Sequence, residues 1–190
     1  KELGQLAVSL RAPMYMHNSE TAREVAGCLA RYGKTPSALF EELGIFDYGG
    51  GGFHCVYLSD EDLEIFRRHG VYAVTCPAAN LKLASGIAPI ARMLSHGIRV
   101  AVGTDGPAGN NALDLFRELY LVSVLAKHRS FDAAALDAVQ VFGMATVYGA
   151  RAMGLAEADC LAVGKLADLA VVSMNMPNML SLIHISEPTR

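Results

Sequence analysis

The sequence predicts an α/β fold: about half of a parallel (β/α)8 TIM-type barrel, followed by the start of a separate small β domain. Three observations carry that prediction. Strand-like and helix-like segments alternate along residues 1–154, as in parallel βαβ units. Four such units make about half of the eight that close a barrel of ~250 residues. Three apolar runs end on a residue capable of metal or acid–base chemistry, namely His17, His54 and Asp105. Side chains at the carboxyl ends of successive parallel strands converge in space, which is where barrel active sites lie.

Each element follows from local signals. Met14-Tyr15-Met16-His17 reads as a strand, and Ser19 opens a helix with Glu20, Glu24 and Val25 in its first turns. Gly49 to Gly52 lacks the Lys-Ser/Thr ending of a phosphate loop and reads as a flexible turn before the strand Phe53-His54-Cys55-Val56. Ser59-Asp60-Glu61-Asp62 then supplies a cap and an acidic first turn for a helix reaching His69-Gly70. Val71 to Cys76 is a third strand, stopped by Pro77. Asn80 to Gly86 reads either as part of the mouth of the site or as a plain connection to a short helix from Ile87 to His96, which Gly97 closes before the fourth strand, Ile98 to Gly103. Beyond Asn111 the pattern turns helical. Leu113, Phe116, Leu119, Tyr120 and Val124 are spaced for one buried face, and a second helix is predicted from Asp132 to Phe142.

Residues 155–180 are expected to be the remnant of a separate small β domain, with a turn at Leu161 to Lys165 and a strand from Ala167 to Ser173. Residues 181–190 continue none of these patterns and read as a non-native tail, so His184 is given no functional weight.

Composition narrows the function. The chain is 52% apolar and 18% charged with a formal net charge of −3, so it lacks the basic stripe that nucleic-acid binding needs, and a small molecule is the expected partner. No apolar run reaches the ~20 residues of a membrane span and Lys1-Glu2-Leu3-Gly4 does not open a signal peptide, which gives a cytoplasmic expectation. Cys28, Cys55, Cys76 and Cys160 are widely spaced without a Cys-x-x-Cys pair and are read as buried reduced thiols.

The ordered series of His17 with Glu20-Thr21 and Glu24-Val25, Phe53-His54-Cys55-Val56, Asn80-Leu81-Lys82-Leu83-Ala84-Ser85-Gly86-Ile87-Ala88-Pro89, Gly103-Thr104-Asp105-Gly106 with Asn110-Asn111, and Gly164-Lys165-Leu166-Ala167-Asp168-Leu169 resembles the amidohydrolase superfamily. Within it, the series is most similar to the branch of 5-methylthioadenosine/S-adenosylhomocysteine deaminases and related chlorohydrolases. The resemblance runs from Lys1 to Met179 and implies that the four strands are about strands 5–8 of the barrel, with Gly164 to Leu169 marking the return into a small β-sandwich domain.

That resemblance implies a zinc-dependent hydrolase, with iron or manganese as alternative metals, that deaminates adenosine derivatives and releases ammonia. His17 and Asp105 become the metal ligands, since imidazole and carboxylate both suit zinc. Glu20 becomes the proton shuttle to a purine ring nitrogen. His54 steadies the attacking hydroxide or the developing oxyanion, and Asp105 also accepts a proton from the attacking water. Without the family context His17 and His54 are readable as core histidines, Glu20 as a first-turn helix charge and Asp105-Gly106 as a turn.

A catalytic zinc usually takes three or more protein ligands, and the His-x-His pair of the family's first strand is absent from this sequence. The chain is therefore expected to be the C-terminal fragment of a longer parent, to hold zinc weakly and to lack deaminase activity alone; related enzymes imply a homo-oligomeric parent. Two alternatives remain open: another hydrolase on the same scaffold, such as a guanine deaminase or a triazine or chloro hydrolase, and a non-catalytic half-barrel binding module.

Overall fold

The computed structural model describes residues 1–173. Its centre is a four-stranded, wholly parallel sheet whose spatial order follows the chain: β1 (Met14–Asn18), β2 (Gly50–His54), β3 (Tyr72–Thr75) and β4 (Arg99–Val102). The register pairs His17 with Phe53, Phe53 with Val74 and Val74 with Ala101. Because the strands are parallel, all four carboxyl ends open on one side of the sheet. The α/β expectation and the four strands hold.

The helices are α1 (Glu2–Leu10), α2 (Ala22–Tyr32), α3 (Pro36–Glu42), α4 (Asp60–His69), α5 (Pro77–Lys82), α6 (Ile90–Ser95), α7 (Pro107–Asn110), α8 (Leu115–Ser130), α9 (Ala138–Ala145) and α10 (Val147–Ala152). Among the described residues no helix is long and apolar enough to cross a membrane.

Alternation along the strands sorts the sheet into two faces. Met14, Met16, Ala73, Val100 and Val102 turn outward onto a core with Leu63, Ile65 and Phe66 of α4, Met93 of α6 and Val122 and Ala126 of α8. Tyr15, Phe53, Val74 and Ala101 turn the other way and line an open cleft of about 780 Å³, roofed in part by Ala145, Gly149, Ala152 and Met153.

Several expectations are corrected. The helix after β1 begins at Ala22, not Ser19, because the Thr21 side chain accepts the Glu24 amide and so takes the cap. Glu20 accordingly stands in the loop before the cap rather than in the first turn. The glycine run is not a turn: Gly50 to Gly52 are buried β2 residues. A Cβ on Gly50 would overlap the Met14 carbonyl, and one on Gly51 the Tyr72 carbonyl. The strand thus fits between β1 and β3 only without side chains at these positions. Pro77 does end a strand, but it also starts α5, since a proline at the first helical position has no amide to waste.

On α8 the fully buried stripe is Glu118, Val122 and Ala126, with Leu119 partly buried against the same core, whereas Phe116 and Tyr120, and Leu113 before the helix, are exposed. The helix expected from Asp132 begins at Ala138, where Asp137 and Gln140 form a capping box. Ala167 to Ser173 forms no strand: a strand needs a hydrogen-bonded neighbour, and none lies beside it among the described residues. Residues 174–180 and the tail at 181–190 lie outside the described residues. The four cysteines are free, but Cys160 is exposed and Cys28 partly so; only Cys55 and Cys76 are buried.

Candidate active site

The carboxyl ends of the strands carry the four residues singled out above, and the backbone there is unusual. Ser19, His54, Cys55 and Asp105 have φ between 51° and 67°, left-handed values that few non-glycine residues adopt. Such strain persists only where surrounding contacts hold it, and it gathers at functional sites. After β1 and β2 the holding contacts are visible: the Cys55 amide donates to the Asn18 carbonyl, and the Val56 and Tyr57 amides both donate to the Ser19 carbonyl.

His54 sits at the end of β2 with its side chain only 3% exposed. Its Nδ1 lies 2.8 Å from Asn80 Oδ1. An amide oxygen only accepts, so Nδ1 donates this bond and Nε2 is the ring nitrogen left facing Glu20. Nε2 is 3.9 Å from Glu20 Oε2, and Glu20 Oε1 accepts the Ser85 hydroxyl at 2.9 Å. The Ser19 and Glu20 amides donate to the Glu24 carboxylate at 3.0 and 2.7 Å, which secures the loop that aims Glu20. The structure therefore brings Glu20 and His54 together and adds Asn80 and Ser85 as their holders.

His17 and Asp105 are placed differently. The His17 ring stacks on His54 with centroids 5.4 Å apart and an interplanar angle of 21°, and meets Phe53 edge-on at 6.0 Å, yet the residue is exposed. Asp105 is exposed too, after β4 at the opposite edge of the sheet from β1. Among the described residues no three His, Cys, Asp or Glu side chains gather as a metal site. Beneath Asp105, burial pushes the Cys76 thiol up to about 12, and the Asp105 and Glu118 carboxylates add to the rise. Cys76 is thus a neutral packing group.

The roomy apolar cleft is not this constellation. Its walls include Phe53, Gly103 and Thr104 but none of His17, Glu20, His54 or Asp105. It runs down the inner face of the sheet below the mouth, whereas the polar residues ring the mouth itself.

The sequence and structure comparisons agree on the family. The model of the amidohydrolase family matches residues 1–188. The chain belongs to this family. A 5-methylthioadenosine/S-adenosylhomocysteine deaminase of Caldanaerobacter subterraneus subsp. tengcongensis is 44% identical to this amidohydrolase chain over 180 residues, 94% of the chain and 42% of that protein. The chain spans well under half the length of the curated relatives it matches. Among solved structures, a zinc-bound adenosine deaminase from Xanthomonas campestris superposes with a TM-score of 0.86 at 38% identity, over 94% of this chain and 41% of that one. A triazine hydrolase from Arthrobacter aurescens gives 0.77 at 28% identity, over 87% and 36%.

Two features of this amidohydrolase site have roles that the sequence does not assign. Asn80 and Ser85 lie in a stretch that the sequence leaves open between the mouth of the site and a plain connection, and nothing local shows that Asn80 reaches His54. Glu118 had a legible signal: it shares a helical stripe with Val122 and Ala126, so a carboxylate stands on the buried face of α8.

Proposed function

We propose that this chain is the C-terminal part of a longer metal-dependent amidohydrolase that deaminates adenosine derivatives (5-methylthioadenosine, S-adenosylhomocysteine or adenosine) to the inosine analogues and ammonia, and that the 190-residue chain alone is inactive. The observation that carries this reading is the contact between Glu20 and the buried, Asn80-held His54 at the mouth of a parallel sheet. Replacing an exocyclic amino group on an aromatic ring requires a proton to be delivered to the ring nitrogen as the neighbouring carbon is attacked. Glu20 is held by Ser85 through one oxygen and keeps the other toward His54. In this reading Glu20 moves that proton, while His54 accepts or donates through Nε2.

The donor set fits zinc in kind, an imidazole at His17 and a carboxylate at Asp105. It does not fit in number, and the remaining ligands are assigned to the parent upstream of Lys1. When bound, zinc supplies a Lewis acid and activated water.

The test is to recover the coding sequence upstream of Lys1 and assay the zinc-loaded parent for ammonia or chloride release from adenosine derivatives, guanine and chlorotriazines. Ammonia from adenosine derivatives is the expected result. Turnover of chlorotriazines alone would replace this reading with the one that the triazine-hydrolase likeness favours, and turnover by the 190-residue chain would overturn its inactivity.

A further inference from the structure

Glu118 is fully buried on α8, and both of its carboxylate oxygens are used. Oε2 accepts the Ala78 amide of α5 at 2.9 Å, two residues before Asn80, whose side chain holds His54. Oε1 accepts the Asn110 side-chain amide of α7 at 2.7 Å. The same Asn110 nitrogen donates to the Thr104 carbonyl at 2.6 Å, directly before Asp105. One carboxylate therefore joins the support of His54 to the support of Asp105 across two helices and a loop.

We propose that Glu118 is a positioning residue, a buried clamp that sets His54 and Asp105 relative to one another at the mouth of the site. The proposal rests on the functional reading above for what those two residues do, but the clamp itself is a matter of donors and acceptors. Asn110 Nδ2 has two hydrogens, and Glu118 and Thr104 take both. Its Oδ1 already accepts the Ala112 amide, so the side-chain amide cannot flip without loss. A burial of this kind leaves no water to substitute for a missing partner. Both neighbours donate, so only a group with two acceptor oxygens satisfies them. Aspartate is a methylene too short, and glutamine presents one donor where an acceptor is needed. Arg117 donates to the Asn110 carbonyl at 3.3 Å and Lys82 to the Asn111 side chain at 2.6 Å, which pins the same loop from outside.

The clamp has two arms that separate by mutation. Glu118→Gln keeps the shape of the side chain but can accept from only one of Ala78 and Asn110. Asn110→Ala leaves the Ala78 arm intact and cuts only the path to Thr104. Both variants are made in the upstream-extended parent. In its metal-free form the His54 Nδ1 proton is followed by NMR and the Thr104–Gly106 amides by hydrogen exchange; in the zinc-loaded form kcat and KM are measured separately. Glu118→Gln is expected to shift the His54 signal and speed exchange at the loop. Asn110→Ala should speed exchange there while the His54 signal stays in place.

In both, kcat should fall ~10–100-fold, as for residues that orient ligands from behind, with KM little changed. Wild-type His54 signals and loop exchange in both variants would overturn the clamp, as would an unchanged kcat. Should Glu118→Gln not fold, Asn110→Ala decides alone through the loop exchange and the kcat–KM split. A parent that turns over no adenosine derivative would sink the functional reading, while the NMR and exchange results would still decide the clamp.

Discussion

The two faces of the sheet are built to different standards. Outward-facing residues of β3 and β4 are sealed: Ala73 and Val100 are at most 1% exposed, and Leu63 and Phe66 of α4 and Met93 of α6, in the same core, are fully buried. Inward-facing residues line an open apolar cleft of about 780 Å³, and Phe53 and Tyr15 are only partly covered. A βαβ unit supplies its own outer cover, because each crossover helix packs back on the strands it joins. The inner face of a barrel has no such local partner. It is covered by strands distant in sequence, which the proposed parent would supply. The difference teaches where this chain's stability resides: on the outer face, where local helices cover the sheet.

The sharpest test of that contrast is a pair of matched truncations. Phe66→Ala removes a ring that touches core on every side and should cost about 3–5 kcal/mol in chemical denaturation, by lost transfer energy plus the cavity left behind. Phe53→Ala removes a ring whose aromatic neighbours are Tyr15 at 5.6 Å and His17 at 6.0 Å, and should cost about 1 kcal/mol. Equal costs would mean that the inner face is sealed in solution, by self-association or otherwise, and the comparison of faces would fail.

The same division explains what the sequence disclosed. Strand and helix order was legible because it rests on local periodicity and caps, as at Ser59, whose side chain and Asp62 close a capping box as expected. The glycine run was misread because its cause is a neighbour in space: only the carbonyls of Met14 and Tyr72 make a side chain impossible there. His17, Glu20, His54 and Asp105 were visible as chemistry-bearing residues at strand ends. Which of them would be built into a network was not, since Asn80 and Ser85 approach from 26 and 65 residues away in the chain.

Within the mouth the contrast continues at smaller scale. Asn80→Ala strips the buried His54 Nδ1–H of its acceptor and should cost about 1–3 kcal/mol, the penalty for an unsatisfied buried polar group. His17→Ala acts on an exposed residue and should change stability of the 190-residue chain by no more than about 0.5 kcal/mol. Thermal or denaturant unfolding of the two variants side by side distinguishes them. A large loss at His17 would show that its stacking on His54 is structural, and the assignment of His17 to metal binding would weaken.

The smallest effect concerns the segment that roofs the cleft. Asp159 accepts from Lys165 Nζ at 2.5 Å and Arg151 Nε at 2.7 Å with its side chain 4% exposed. Lys165 first and Arg151 second hold its carboxyl down at about 2, against an ordinary 3.8. A depressed acid stabilises the fold fully above its unfolded value, and that contribution is lost as pH falls through the folded one. The window therefore lies between about pH 4 and pH 2. The segment also meets the inner face, where the Tyr15 hydroxyl donates to the Ala152 carbonyl at 2.5 Å. In acid the amides of residues 151–166 should lose protection from hydrogen exchange before those of the sheet, and Lys165→Met should move that loss to higher pH. Simultaneous loss across the sheet and the roof would show that the roof is no separate unit. A roof that opens first would show that the layer partly covering the inner face is held largely through one carboxylate, whereas the outer face is held mainly by apolar packing.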